Sequence, residues 1–153
     1  MEILAQNKKA YFNFEILEEF ETGISLLGQE VKSIKEWGVN LSSTFVIFRK
    51  NPKKFLPEAF WIGANIPAWQ PENAPGYYPQ RERKILLKKS EIKYLLGKLS
   101  QKNLFLVPLK LYLKKGRIKM LLGLGKRKKL IDKKEKIKQK EIKREIEREL
   151  KRI

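Results

Sequence analysis

The chain has 153 residues, with 35 Lys and Arg against 17 Asp and Glu and a net charge of +18, which draws a protein toward polyanions because a basic surface releases counterions condensed on phosphate. Zero cysteines exclude disulfides and thiolate metal ligands, and zero histidines remove the commonest general base and zinc ligand, so most hydrolytic chemistry is disfavoured. No apolar run of about 18 residues is present to span a bilayer, and residues 1–6 lack the basic-then-apolar pattern of a signal peptide, so a cytoplasmic protein is expected.

In chain order, Ala10, Phe12, Phe14 and Ile16 alternate with Tyr11, Asn13, Glu15 and Leu17, a period of two that predicts a strand. Residues 18–23 predict a bend or bulge before a second strand at 24–27, closed by Gly28. Val31 and Ile34 at helical spacing predict a short helix over 29–36, ended by Gly38. Residues 44–48 and 60–62 are β-branched and aromatic and predict strands around a turn at 51–54. Pro67, Pro71, Pro75 and Pro79 make 65–80 an irregular loop. Strand character returns at 81–87, then Ser90 is placed to cap a helix through Lys98, with Glu91 in its first turn. Two apolar stretches at 104–113 and 117–124 flank a hairpin turn at 114–116.

This pattern predicts a mainly β domain over 1–125, a small antiparallel barrel of oligonucleotide-binding type with six or seven strands and two or three short helices. Residues 126–153 form a basic tail with 14 Lys and Arg against 6 Asp and Glu, and with no Gly, Pro or aromatic residue. Its Ile137, Ile142, Ile146, Leu150 and Ile153 fall at mostly helical spacing. Such a segment cannot build its own core, so it is expected to be disordered alone and helical against a polyanion.

The string Gly28-Gln29-Glu30-Val31-Lys32-Ser33-Ile34-Lys35-Glu36, followed by Val39-Asn40-Leu41, resembles the signature of the SmpB family, the SsrA-binding proteins of bacterial ribosome rescue. Further blocks resemble the family in the same order: Asn7-Lys8-Lys9-Ala10, Glu18-Glu19-Phe20-Glu21-Thr22-Gly23, Arg81-Glu82-Arg83-Lys84-Ile85-Leu86-Leu87, Val107-Pro108-Leu109-Lys110-Leu111-Tyr112, and residues 126–135. The resemblance implies a six-stranded barrel that binds the elbow of the tRNA-like domain of transfer-messenger RNA (tmRNA) and enters stalled ribosomes with it. The tail then occupies the empty mRNA channel near the small-subunit decoding region. Partners implied are tmRNA and the ribosome, with no membrane and no cofactor or metal, and the protein is expected to be a monomer and not an enzyme. Ile131 stands before Asp132 where the family usually has Tyr or His, Arg127 where it usually has Gly, Trp37-Gly38 replaces a commoner Gly-Lys, and 51–58 lengthens a hairpin.

RNA-contact positions carried over by the resemblance are Asn7, Lys8, Lys9, Glu21, Arg83, Lys84, Leu86, Lys88 and Lys119, and the ribosome-binding positions of the tail are Lys126, Arg127, Lys128, Lys129, Ile131, Asp132, Lys133 and Lys134. Asn reads a base edge or ribose hydroxyl, Lys neutralises phosphate, and a carboxylate such as Glu21 accepts from base amino groups. Trp69, Tyr77 and Tyr78 are read as covering a core edge more often than stacking on bases. Two alternatives accompany the adaptor reading: a general ribosome-associated RNA-binding barrel without rescue activity, and a metal-dependent nuclease built on Glu15, Glu18, Glu19 and Glu21.

Overall fold

Six strands close on themselves because each finds an antiparallel partner on both edges. In the computed structural model, which describes residues 2–101 and 103–151, the strands are β1 (Glu2–Gln6), β2 (Phe14–Ile24), β3 (Phe45–Arg49), β4 (Glu58–Ile62), β5 (Arg83–Leu86), β6 (Leu104–Lys114) and β7 (Arg117–Arg127). Pairing runs β6-β3-β4-β5-β2-β7 and returns to β6, and β1 adds to the edge of β6 beyond β3. Closure removes the exposed edges at which sheets aggregate. Lys115 and Gly116 join β6 to β7 with φ of 52° and 76°, the paired positive values that a two-residue hairpin turn requires.

Four helices decorate the barrel: α1 (Lys8–Asn13), α2 (Gly28–Trp37), α3 (Lys89–Leu99) and α4 (Leu130–Lys151). The strand expected at 10–13 is α1, because the Asn7 side chain accepts from the Ala10 amide at 3.1 Å and starts a helical turn. Ala10 and Phe14, four apart, then bury together. The two early strands are one, β2, whose pairing with β7 shifts register between Ile16 and Glu18. Gly28 opens α2 rather than closing a strand. At α3 the cap lies at Lys88, whose amide donates to the Glu91 carboxylate at 3.0 Å, and Ser90 lies inside the helix. The strand β1 had no expectation behind it, since Ile3-Leu4-Ala5 does not alternate.

Bulges divide the apolar residues between two cores. On β2, Phe14 and Ile16 join a smaller cluster with Ala10, Val107 and Leu109, whereas Phe20 and Ile24 join the main one. On β6, Phe105, Val107 and Leu109 belong to the smaller cluster and Leu111 and Leu113 to the main one, with a register shift between Pro108 and Lys110. One extra residue per strand turns the alternation to the other face, so both faces of β6 and β7 are apolar. The main core holds Trp61, Ile85, Leu106, Met120 and Leu122, with Ile34 of α2 and Leu95 of α3 closing over it. Gly123 lies hard against the smaller core: a Cβ there would sit 2.8 Å from Leu109 Cδ1 and 3.3 Å from Ile16 Cγ2.

The tail helix α4 has 22 residues, about 33 Å of helix. Its Ile137, Ile142, Ile146 and Leu150 are all exposed and belong to neither core. Ile153 lies outside the described residues.

Candidate nucleic-acid interface

Strand register sets two of the candidate residues, Leu86 and Lys119, in one row. Leu86 of β5 lies opposite Gly23 of β2, Gly23 opposite Lys119 of β7, and Lys119 opposite Tyr112 of β6. Successive residues alternate faces, and Thr22, Ile85, Ile118 and Met120 are buried, so Leu86, Gly23 and Lys119 face outward, while Tyr112 at the end of the row is 4% exposed. Leu86 is 52% exposed, an apolar side chain half in water that lies over Gly23, where a Cβ would stand 3.3 Å from Leu86 Cδ1. Glu21 lies two residues from Gly23 and shares its face. The Tyr112 hydroxyl donates to its carboxylate at 2.6 Å and Lys114 Nζ at 3.0 Å. Those two donors hold the Glu21 carboxyl below the usual carboxylate range, with Lys119 adding its charge. Burial, with Glu21 beside it, pushes the Tyr112 hydroxyl up. The face therefore offers an ionised acceptor with lone pairs to spare, an apolar platform and a cation within one patch, which matches a base edge, a base or ribose face, and a phosphate.

Lys84 lies two residues from Leu86 on the same side of β5 and pairs with Glu58 at 2.7 Å. That lysine, then Asn51, holds Glu58 down to about 2. Lys88 is exposed at the start of α3.

Arg83 faces the other way. It is fully buried and donates Nε to Glu30 Oε2 at 2.8 Å, Nη1 to the Ala64 carbonyl at 2.9 Å and Nη2 to the Pro79 carbonyl at 2.8 Å. Glu30, also 0% exposed, accepts from Arg81, the Tyr77 hydroxyl at 3.0 Å and the Leu27 amide at 2.8 Å. Burial alone would raise the Glu30 carboxyl; Arg81, the Leu27 amide and Arg83 outweigh it and hold it below the usual range. The carried-over role of Arg83 as an RNA contact is thus corrected: its donors are spent on tying the 65–80 loop to α2. Of the loop aromatics, Tyr77 is half-buried with its hydroxyl 2.8 Å from the Ile66 carbonyl, Trp69 lies against Trp37 with ring centroids 5.2 Å apart, and Tyr78 is 61% exposed and covers no core edge.

Asn7 is corrected in the same way. At 4% exposure, its amide nitrogen donates to the Leu41 and Pro108 carbonyls at 3.2 and 2.9 Å while its oxygen caps α1, so no group is left to read a base. What it positions is Lys8 and Lys9, both exposed on α1. Lys9 and Arg127 line one cleft of about 330 Å³. The Arg127 guanidinium lies over the rings of Phe105 and Phe14, 5.2 and 5.8 Å from their centroids, and the Lys128 amide donates to the Asn13 carbonyl at 2.9 Å. Lys126, Lys129 and Lys134 are exposed; the side chains of Ile131, Asp132 and Lys133 lie outside the described residues. Lys119 and Arg127 stand eight positions apart on β7, roughly 25 Å along an extended strand. The candidate residues thus form two groups, an outer face around Glu21, Leu86 and Lys119 and a basic tail root around Lys9 and Arg127.

The glutamates of β2 do not converge on a metal position. Glu18 accepts from the Tyr94 hydroxyl at 2.6 Å and Glu21 from Tyr112, and among the described residues no group of three or more His, Cys, Asp or Glu is placed to hold an ion. No helix of the described residues is long and apolar enough to cross a membrane.

Known proteins of the same build exist. Residues 4–152 match the family model described as "SmpB protein". The SsrA-binding protein of Thermosynechococcus vestitus is 47% identical over 153 residues, covering 99% of this chain and 96% of that protein. That of Syntrophobacter fumaroxidans is 45% identical over 146 residues, covering 95% and 87%. A solved chain from the structure reported as "tmRNA-SmpB: a journey to the center of the bacterial ribosome" is 38% identical, with a TM-score of 0.64 over 82% of this chain and 85% of that one. With a family match that takes in the barrel, the 65–80 loop and nearly all of the tail, this chain belongs to the SmpB family.

Proposed function

We propose that this chain is a non-enzymatic, monomeric RNA-binding adaptor of the cytoplasm, which binds the tRNA-like domain of tmRNA and delivers it to stalled ribosomes for trans-translation. The observation that carries the reading is the outward row of Leu86, Gly23 and Lys119 with Glu21 beside it, set on rigid paired strands of one barrel. A rigid platform suits a folded RNA elbow, whose unpaired loop bases present faces and edges that a duplex hides. Lys8 and Lys9 lie at the other end of the barrel with the tail, so one RNA-binding face and one ribosome-binding arm point to different partners. Alone, the tail beyond β7 repels itself, with 11 Lys and Arg against 6 Asp and Glu over residues 128–151, and this part is disordered. Ribosomal RNA phosphates remove that repulsion, and α4 is the form taken on the ribosome.

Competition of the tRNA-like domain against ordinary tRNA, across a salt series, tests the reading. Affinity should fall with salt at a logarithmic slope of roughly −0.7 to −0.9 per phosphate contact, while preference for the tRNA-like domain survives salt that abolishes binding to random RNA. Equal loss for both RNAs would favour a general RNA-binding barrel. Magnesium-dependent cleavage of the RNA would point instead to a nuclease.

A further inference from the structure

The hairpin between β3 and β4 does something unusual at its end. Phe55 is 96% exposed, the most exposed large apolar side chain among the described residues. A lone exposed aromatic needs no explanation; this one lines a groove of about 610 Å³ together with Leu56, Pro57, Leu86, Leu87 and Ile92. The hairpin residues form one wall, and β5 with the first turns of α3 forms the other. Leu86 belongs to both surfaces, so the groove continues directly from the outer face described above.

The charges of the groove select its occupant. Lys54, Lys84, Lys89 and Lys93 line it against a single carboxylate, Glu58, which is already paired with Lys84 at 2.7 Å and Lys54 at 3.5 Å. Lys89 and Lys93 have no carboxylate partner among the described residues. An apolar floor with a cationic rim fits neither a neutral apolar peptide nor a duplex, whose base faces are stacked away. It fits an unpaired nucleotide, with the base on an aromatic ring and the flanking phosphates on lysines.

We infer that the groove between Phe55 and Leu86 is a second RNA subsite, in which the Phe55 ring stacks on one unpaired base and Lys89 and Lys93 hold its phosphates. The inference rests on the proposed binding of tmRNA and extends that footprint from the barrel face to the 51–57 hairpin. Phe55 buries almost nothing in the free protein, so its removal reports on the complex alone.

The probes are the transcribed tRNA-like domain and a blunt RNA duplex of equal length, titrated with the full chain. Phe55→Ala should bind the tRNA-like domain roughly 5- to 100-fold more weakly, the span that base–aromatic stacking covers, with the duplex affinity and the melting temperature unchanged. Phe55→Trp should restore binding and Phe55→Leu should not, because leucine keeps the bulk and loses the π face. Ultraviolet crosslinking of the wild-type complex should map to residues 54–57. Phe55→Ala binding within twofold of wild type, while Leu86→Ala or Lys119→Ala weakens it, overturns the subsite and leaves the adaptor reading standing. A wild-type protein with no preference for the tRNA-like domain removes both. Equal rescue by leucine and tryptophan overturns stacking as the mechanism.

Discussion

Replacing Glu30 by Gln should be among the most destabilising isosteric changes available in this chain. The carboxylate is fully buried and faces two guanidiniums, Arg83 with no exposure and Arg81 at the rim. Gln keeps the volume and an acceptor for the Leu27 amide but removes the charge, leaving Arg83 a buried cation without a counterion. Breaking one side of a buried pair costs about 3–5 kcal/mol. For a barrel of this size that corresponds to a melting temperature roughly 10–20 °C lower. The pH dependence gives a second readout. Glu30 titrates below its unfolded value, so its contribution is complete above about pH 4.3 and is lost as pH falls through the folded value. The gap between wild type and Glu30→Gln should therefore be full at neutral pH and narrow in acid below about pH 4. Thermal unfolding followed by circular dichroism across a pH series measures both. A variant melting within 2 °C of wild type at pH 7, or a gap that widens in acid, would show that the Arg81–Glu30–Arg83 network does not hold the 65–80 loop in place.

Glu21→Ala should weaken binding of the tRNA-like domain roughly 5- to 100-fold, the range of a charge-assisted hydrogen bond, with little change in melting temperature because the carboxylate is exposed; a large thermal loss with intact affinity would make its bonds to Tyr112 and Lys114 structural. Gly123→Ala should cost about 1–3 kcal/mol by overpacking, read by denaturant unfolding, since its Cβ would stand 2.8 Å from Cδ1 of the fully buried Leu109 and 3.3 Å from Ile16 Cγ2; an unchanged midpoint would mean that Leu109 moves aside freely. A chain ending at Lys129 should bind the tRNA-like domain as the full chain does yet fail to support peptide tagging on stalled ribosomes, and tagging at the full rate would reduce the tail to a nonspecific affinity element. Ending instead at Gly125 would remove Lys126 and Arg127 from β7, so it would test the barrel as well as the tail.

Much of the barrel was readable because strand periodicity and turn chemistry agree. The Lys115-Gly116 turn, the helix ended by Gly38 and the proline-punctuated loop all follow from local rules, and the structure keeps them. What local rules missed lies where a long-range partner decides. Ala10 to Asn13 alternate well enough for a strand, and only the Asn7 cap, seated by the carbonyls of Leu41 and Pro108, makes them helical. The register shift of β6 between Pro108 and Lys110 does not show in that strand taken alone, and the one on β2 falls between Ile16 and Glu18, just before the bend or bulge expected at 18–23. For the interface, motif blocks mark positions that a family needs without saying for what. Asn7 and Arg83 serve the scaffold. A signal for Arg83 was present: it shares strand parity with Ile85 and opposes Lys84 and Leu86, which places it inward. Glu30, three residues past Leu27, was its natural counterion. The joining of Glu30 with Arg81 and Tyr77 went unmarked because those partners lie 51 and 47 positions from it along the chain.

The two groups of candidate residues are linked by a covalent ruler. Lys119 and Arg127 belong to one strand bonded along both edges, to β2 and to β6, so their spacing of roughly 25 Å is fixed by backbone geometry rather than by a hinge. Arg127 strengthens this by lying over Phe14 and Phe105, one from β2 and one from β6, at the position where the tail leaves the barrel. A glycine there would release the tail one or two residues earlier and let it swing. Arginine instead gives the helix a defined starting point relative to the outer face. An adaptor that must present an RNA on one side and reach a channel on the other needs that distance held before either partner arrives, since a fixed span leaves less freedom to be lost on binding. The rigid element in this chain is therefore β7, and the basic tail begins where its pairing ends.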